Sequence, residues 1–110
     1  MTRKLLLRGT PASPGKVQGK VKVILDPKEC KKMKKGEILV TVMTDPLYLP
    51  AIEKAKAIIT DIGGLLSHAA IIARELGIPC IVNTKKATKV LKDGVEVIVD
   101  GTKGMIYGKK

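Results

Sequence analysis

The chain has one histidine, His68, set in the stretch ITDIGGLLSHAAIIARELGIPCIV at residues 59–82. A hydrophobic run ends at Thr60, the pair Gly63-Gly64 follows, and Ser67 precedes a helical pattern over residues 67–76. Ser is a favoured helix cap, so His68 is expected at the first position of a helix. Gly77 and Pro79 stop the pattern. The start of a helix presents unpaired backbone N–H groups and a partial positive charge, which favour an anion. A neutral imidazole has the lone pair needed to attack phosphorus. These residues therefore read as a site for a phosphoryl group on His68, with N–H groups of the first turn holding its oxygens. Gly63 and Gly64 would let the backbone approach a phosphorylated ring or a partner's nucleotide. Glu75 is two turns along the helix, roughly 10 Å away, too far to serve the imidazole directly. Spacing alone leaves a plainer alternative, in which His68 is a capping or surface residue beside an ordinary turn.

Positioning such a site requires a packed helix. Ala69, Ile72, Ala73 and Leu76 fall on one stripe, expected to lie on a sheet. The rest of the chain supplies that sheet. Residues 4–8 and 17–25 read as strands, with Val17, Val21, Val23 and Leu25 on one parity and Gln18, Lys20 and Lys22 opposite. Gly19 marks a bulge or a close backbone approach. Residues 9–15, GTPASPG, read as a loop. Asp26-Pro27 opens a short helix, with Glu29 at capping-box spacing and Gly36 ending the element. Asp45-Pro46 repeats that start and leads a helix to about residue 54. Strands are expected at residues 38–42, 57–60 and 80–82, a helical turn at 87–91, and a hairpin from 95–100 and 105–107. The middle alternates strand and helix, which predicts parallel pairing with right-handed crossovers. The flanks are β-rich and antiparallel. The fold class is thus α/β, a mixed sheet with a parallel β-α-β core and flanking antiparallel strands, with β-structure on one side and helices on the other. Residues 1–110 read as one domain.

Composition narrows the function. No apolar run nears the roughly 20 residues of a membrane-spanning helix, and the short apolar run Leu5-Leu6-Leu7 is too brief for a signal-peptide core, so a cytoplasmic protein with no membrane partner is expected. Cys30 and Cys80 belong to no CxxC pair and read as reduced thiols, Cys80 within a buried strand. Asp45 and Asp61 read as caps or turn formers. The formal net charge of +11 comes mostly from scattered lysines, and only Tyr48 and Tyr107 are aromatic. A stacking platform for single strands is therefore missing. The lysines fit solubility or acidic protein partners better than specific nucleic-acid recognition. No metal-ligand spacing is evident.

The segment Gly63, Gly64, Leu65, Leu66, Ser67, His68, Ala69, Ala70, Ile71, Ile72, Ala73, Arg74 closely resembles the phosphohistidine motif of the phosphoenolpyruvate (PEP)-utilising enzymes. The upstream GTPASPGKVQGKV is similar to that family's domain entry, and MTDP at residues 43–46 to one of its strand–helix junctions. The resemblance spans roughly residues 8–108. It implies a swivelling β/β/α domain in which His68 is phosphorylated on Nε2. Gly63, Gly64, Ser67, Ala69 and Arg74 would support the phosphoryl site, with a structural or docking role for Arg74. Leu66 stands where many pyruvate-linked members carry Thr. The resemblance also implies a phosphoryl carrier that binds no cofactor itself, Mg²⁺ and ATP or PEP being held by a separate ATP-grasp or PEP-binding phosphotransferase subunit. The alternatives are a non-catalytic protein- or anion-binding module and a nucleic-acid binder.

Overall fold

The computed structural model describes residues 3–109. Eight strands form one mixed sheet: β1 Leu5–Arg8, β2 Thr10–Ser13, β3 Lys16–Val23, β4 Ile38–Thr41, β5 Ala57–Thr60, β6 Cys80–Val82, β7 Glu96–Asp100 and β8 Met105–Gly108. Their order is β1-β8-β7-β3-β4-β5-β6-β2. β3, β4, β5 and β6 run parallel, and the pairings outside them are antiparallel, as the alternation of elements requires. The two ends of this order, β1 and β2, are separated in the chain by Gly9 alone. The sheet must therefore curl until its edges approach, and the curl creates an interior.

The parity of each strand sorts its side chains between two cores. Ile38 and Val40 of β4, Ala57 and Ile59 of β5, and Ile81 of β6 point into the curl, with Val21, Val97, Val99 and Ile106. The intervening Leu39, Ile58, Cys80 and Val82 form a second core beneath helix α2, His68–Leu76. Strands buried on both faces read as continuous apolar runs, which is why ILV and AII carry no alternation. Each fully buried aliphatic side chain contributes about 1.5–3 kcal/mol.

Several sequence expectations need correction. The stretch at residues 9–15 is not all loop, because Thr10–Ser13 pairs with β6 as edge strand β2. Its Pro11 and Ser13 hid a strand that turn composition disfavours, and Pro is tolerated there because the strand is an edge. β3 stops at Val23, Ile24 enters the core, and Leu25 is exposed. Gly19 is no bulge, since the β3–β7 register runs unbroken from Lys16 to Lys20. It is a close approach, for a Cβ there would lie 3.1 Å from the carbonyl oxygen of Gly36. The two proline-led helices are short. Pro27–Lys32 and Pro46–Tyr48 are 3-10 turns, and only Leu49–Ile52 (α1) is α-helical. Asp26 and Asp45 do cap them, but the Glu29 carboxylate pairs with Lys32 rather than completing a capping box. The helices are not all on one side either. The short helix α3, Ala87–Val90, places Ala87 in the inner core beside Leu91, while α2 covers the outer one. No helix among the described residues is long and apolar enough to cross a membrane.

Candidate functional site

The site forms where β4 and β5 end side by side. Their register pairs Thr41 with Thr60, and the ladder continues past the strands through Asp61 N–H to Thr41 O (3.1 Å) and Ile62 N–H to Val42 O (3.0 Å). Both buried threonine hydroxyls donate back to a carbonyl two residues on, Thr60 to Ile62 at 2.8 Å and Thr41 to Met43 at 3.5 Å. These bonds turn the two chain segments so that Thr44 leaves one strand and Gly63 the other.

Gly63 adopts φ +121, a backbone conformation that side-chain-bearing residues rarely hold, and a Cβ there would meet Ser67 Oγ at 3.1 Å. Gly64 has open space around it and no such conformation. The glycine pair is therefore not equivalent, and the geometric demand falls on Gly63. Ser67 caps α2, accepting from Ala70 N–H at 3.4 Å while donating to Gly64 O at 2.7 Å. Among the described residues, no acceptor takes the N–H of His68 or Ala69 in the first turn. Those two groups are the ones a bound anion would use.

Helix α2 reaches the sheet through Ala69, Ala70 and Ala73, whose small side chains let it lie close over β6 and β2. Leu76, expected on that stripe, is exposed, and Ala70 takes the inward position instead. The wall beneath is Cys80, whose Sγ lies 3.8 Å from Ala69 O; burial pushes its thiol up to about 12. This is inert core, as a buried strand position implies.

His68 is half-buried. Its Nδ1 lies 2.8 Å from Oγ1 of Thr44, a buried residue. That contact occupies one ring nitrogen, and Nε2 takes no hydrogen bond among the described residues. Sequence reasoning missed Thr44 as a site residue. The available signal was its place three residues past one parallel strand, with Gly63 three residues past the next. Met43, Thr44, Ile62, Gly63, Ser67 and His68 border a cleft of about 200 Å³.

Arg74, six residues on from His68, bridges two distant segments. Its Nη1 donates to Ala12 O of β2 at 2.9 Å, and its Nη2 to Leu65 O at 2.6 Å. The planar guanidinium fork suits two carbonyls at once. It ties the loop before His68 to the sheet edge. Asp61 is a cap: its carboxylate takes the N–H and hydroxyl of Thr88 at 2.9 and 2.6 Å. Leu65, Leu66, Met43 and Ile62 leave an exposed apolar rim around the cleft, Leu66 at 85% exposure.

The comparisons with known proteins agree with this architecture. The family pattern described as "PEP-utilising enzyme, mobile domain" matches residues 33–104. The chain belongs to that family. A probable phosphoenolpyruvate synthase of Archaeoglobus fulgidus is 59% identical over 104 residues, covering 94% of this chain and 14% of that protein. The phosphoenolpyruvate synthase of Pyrococcus furiosus is 57% identical over 104 residues, covering 94% and 13%. Among solved structures, the NMR solution structure of an Enzyme I protein superposes with a TM-score of 0.62 at 30% identity, covering 73% of this chain and 33% of that one. The chain thus spans a small part of the curated relatives it matches, which carry this mobile domain within longer polypeptides. The fold class of a swivelling mixed-sheet domain holds.

Proposed function

We propose that this mobile domain carries a phosphoryl group on Nε2 of His68, receiving it from an ATP-grasp or PEP-binding unit and delivering it to a second acceptor. The observation that carries the reading is the Thr44–His68 contact at the mouth of the cleft. With Nδ1–H donating to Thr44 Oγ1, the Nε2 lone pair is free to attack phosphorus. The bond from the donor oxygen to phosphorus breaks as the Nε2–phosphorus bond forms, and on delivery the Nε2–phosphorus bond breaks as the acceptor bonds to phosphorus, which returns the imidazole unchanged. The phosphoryl oxygens would then accept from the free N–H groups of His68 and Ala69.

The apolar rim supports a partner surface. Leu65, Leu66, Met43 and Ile62 would exclude water from the joined site, which lengthens the life of a group that hydrolysis would waste. The domain offers few charges there: Arg74 is engaged on two carbonyls, and Asp61 on Thr88. Neutralising the transferring phosphoryl therefore falls to the partner, which in this reading holds Mg²⁺ and ATP or PEP. This chain needs no cofactor of its own.

The test is radiolabelling. ATP and Mg²⁺ alone should leave the chain unlabelled, and addition of the cognate ATP-grasp unit should label it. The label should be acid-labile and alkali-stable, and absent from a folded His68→Ala variant. An acid-stable label that persists in His68→Ala would overturn the carrier reading.

A further inference from the structure

We propose that a hollow at the far end of the domain binds a small phosphorylated molecule. Six residues line it: Arg3, Lys16, Ile98, Asp100, Lys103 and Tyr107, around a volume of about 240 Å³. Lys16 opens β3, and β3 runs parallel to β4 and β5, beyond whose C-terminal ends His68 sits. The hollow is therefore at the opposite end of the parallel strands from His68, in a molecule 39 Å long. It does not rest on the carrier reading.

Three observations define the ligand. The first is charge. Arg3, Lys16 and Lys103 converge on one concavity, and none has an ion-pair partner among the described residues. A rigid guanidinium fork with two mobile ammonium groups suits phosphate oxygens. The second is Asp100, only 8% exposed. Its Oδ1 accepts the N–H of Thr102 at 3.1 Å and of Lys103 at 3.0 Å. Its Oδ2 takes no hydrogen bond among the described residues and keeps one acceptor for a ligand hydroxyl or amino group, while its one negative charge leaves the three cations in excess. The third is the floor. Ile98 is 4% exposed yet belongs to neither core, because it lies on the outer sheet face, where its register partner is Tyr107. Lys16 is likewise paired with Asp100 across β3 and β7. The lining thus stands largely on strands in fixed register, with an apolar patch for a ring or carbon skeleton. The fitting class is a phosphomonoester or diphosphate with a hydrogen-bond donor at its uncharged end, of nucleotide size or less.

The experiment is a titration of the ¹⁵N-labelled chain followed by amide shifts. AMP and inorganic pyrophosphate are the probes, adenosine is the phosphate-free control, and a ten-residue oligothymidylate represents phosphate on a polymer. AMP and pyrophosphate should give saturable shifts at Lys16, Asp100, Thr102, Lys103 and Tyr107, and adenosine none. The double variant Lys16→Met, Lys103→Met should weaken binding by about tenfold or more, as loss of charge-assisted bonds implies. A Lys31→Met, Lys32→Met variant, with the same change in net charge at residues that do not line the hollow, should leave affinity within about twofold. The double variant should still take the His68 label, so failure here and failure of the carrier reading are distinct. The proposal is overturned by shifts that do not saturate, by equal weakening in the two double variants, or by oligothymidylate binding this hollow more tightly than AMP at about 0.15 M salt, where nonspecific attraction is screened.

Discussion

Thr44 Oγ1 and His68 Nδ1 lie 2.8 Å apart although the two residues are 24 positions apart in the chain. Each leaves the end of a neighbouring parallel strand, so the contact is made by the β4–β5 register and not by local sequence. A hydroxyl at this position holds the ring's orientation and engages Nδ1 in either tautomer.

Replacing Thr44 with Val keeps the shape and removes the hydroxyl. In the proposed transfer, phosphorylation of His68 should slow by about 10²-fold, the scale of a lost alignment at a reacting atom. Thr44→Ser should retain most of the rate. Initial rates of acid-labile labelling, with urea midpoints to confirm folding, distinguish alignment from stability.

The two glycines before the site should respond differently. Gly63→Ala forces a Cβ onto a backbone at φ +121 and against Ser67. It should cost about 1–3 kcal/mol, as such strained conformations do. Gly64→Ala meets nothing within 4 Å and should stay within about 0.5 kcal/mol of the parent. Paired denaturant melts decide between this asymmetry and equal sensitivity.

Lys85 holds φ +75, with its N–H bonded to Asp61 O at 2.8 Å. The left-handed conformation costs a residue with a Cβ about 1–2 kcal/mol, and Gly loses part of that advantage through its larger entropy in the unfolded chain. Lys85→Gly should therefore stabilise the domain by about 0.5–1 kcal/mol, the difference between those two effects. A lower urea midpoint in the variant would contradict it.

Cys80 gives a pH dependence. Burial raises its thiol from 9.0 to about 12, so the unfolded chain releases this proton before the folded one does. The stability it contributes is complete below about pH 9 and is lost as pH rises through the folded value. The urea midpoint of the parent should fall more between about pH 8 and 10 than that of Cys80→Ala, which has no such proton to release. With both cysteines buried, a thiol reagent should find no reactive thiol in the native chain and two after denaturation.

The sequence alone determined most of the local chemistry. Ser67 before His68, the small residues of α2 and the Gly77 stop specify a helix whose first turn holds the imidazole, because caps and periodicity are local. The buried strands β4, β5 and β6 were legible as continuous apolar runs, and the alternation of elements was enough to order them in parallel. Tertiary structure decided what depends on pairing across the chain. Only the β2–β6 ladder makes a strand of Thr10–Ser13, whose Pro and Ser argue locally for a loop. Only the curling of the sheet puts α3 against the inner core. The partner of His68, the two carbonyls gripped by Arg74, and the convergence of Arg3, Lys16 and Lys103 each join residues far apart in sequence. Residue type shows what a side chain can bond to, but the strand register selects the partner, since one residue of slip would turn every side chain to the other face.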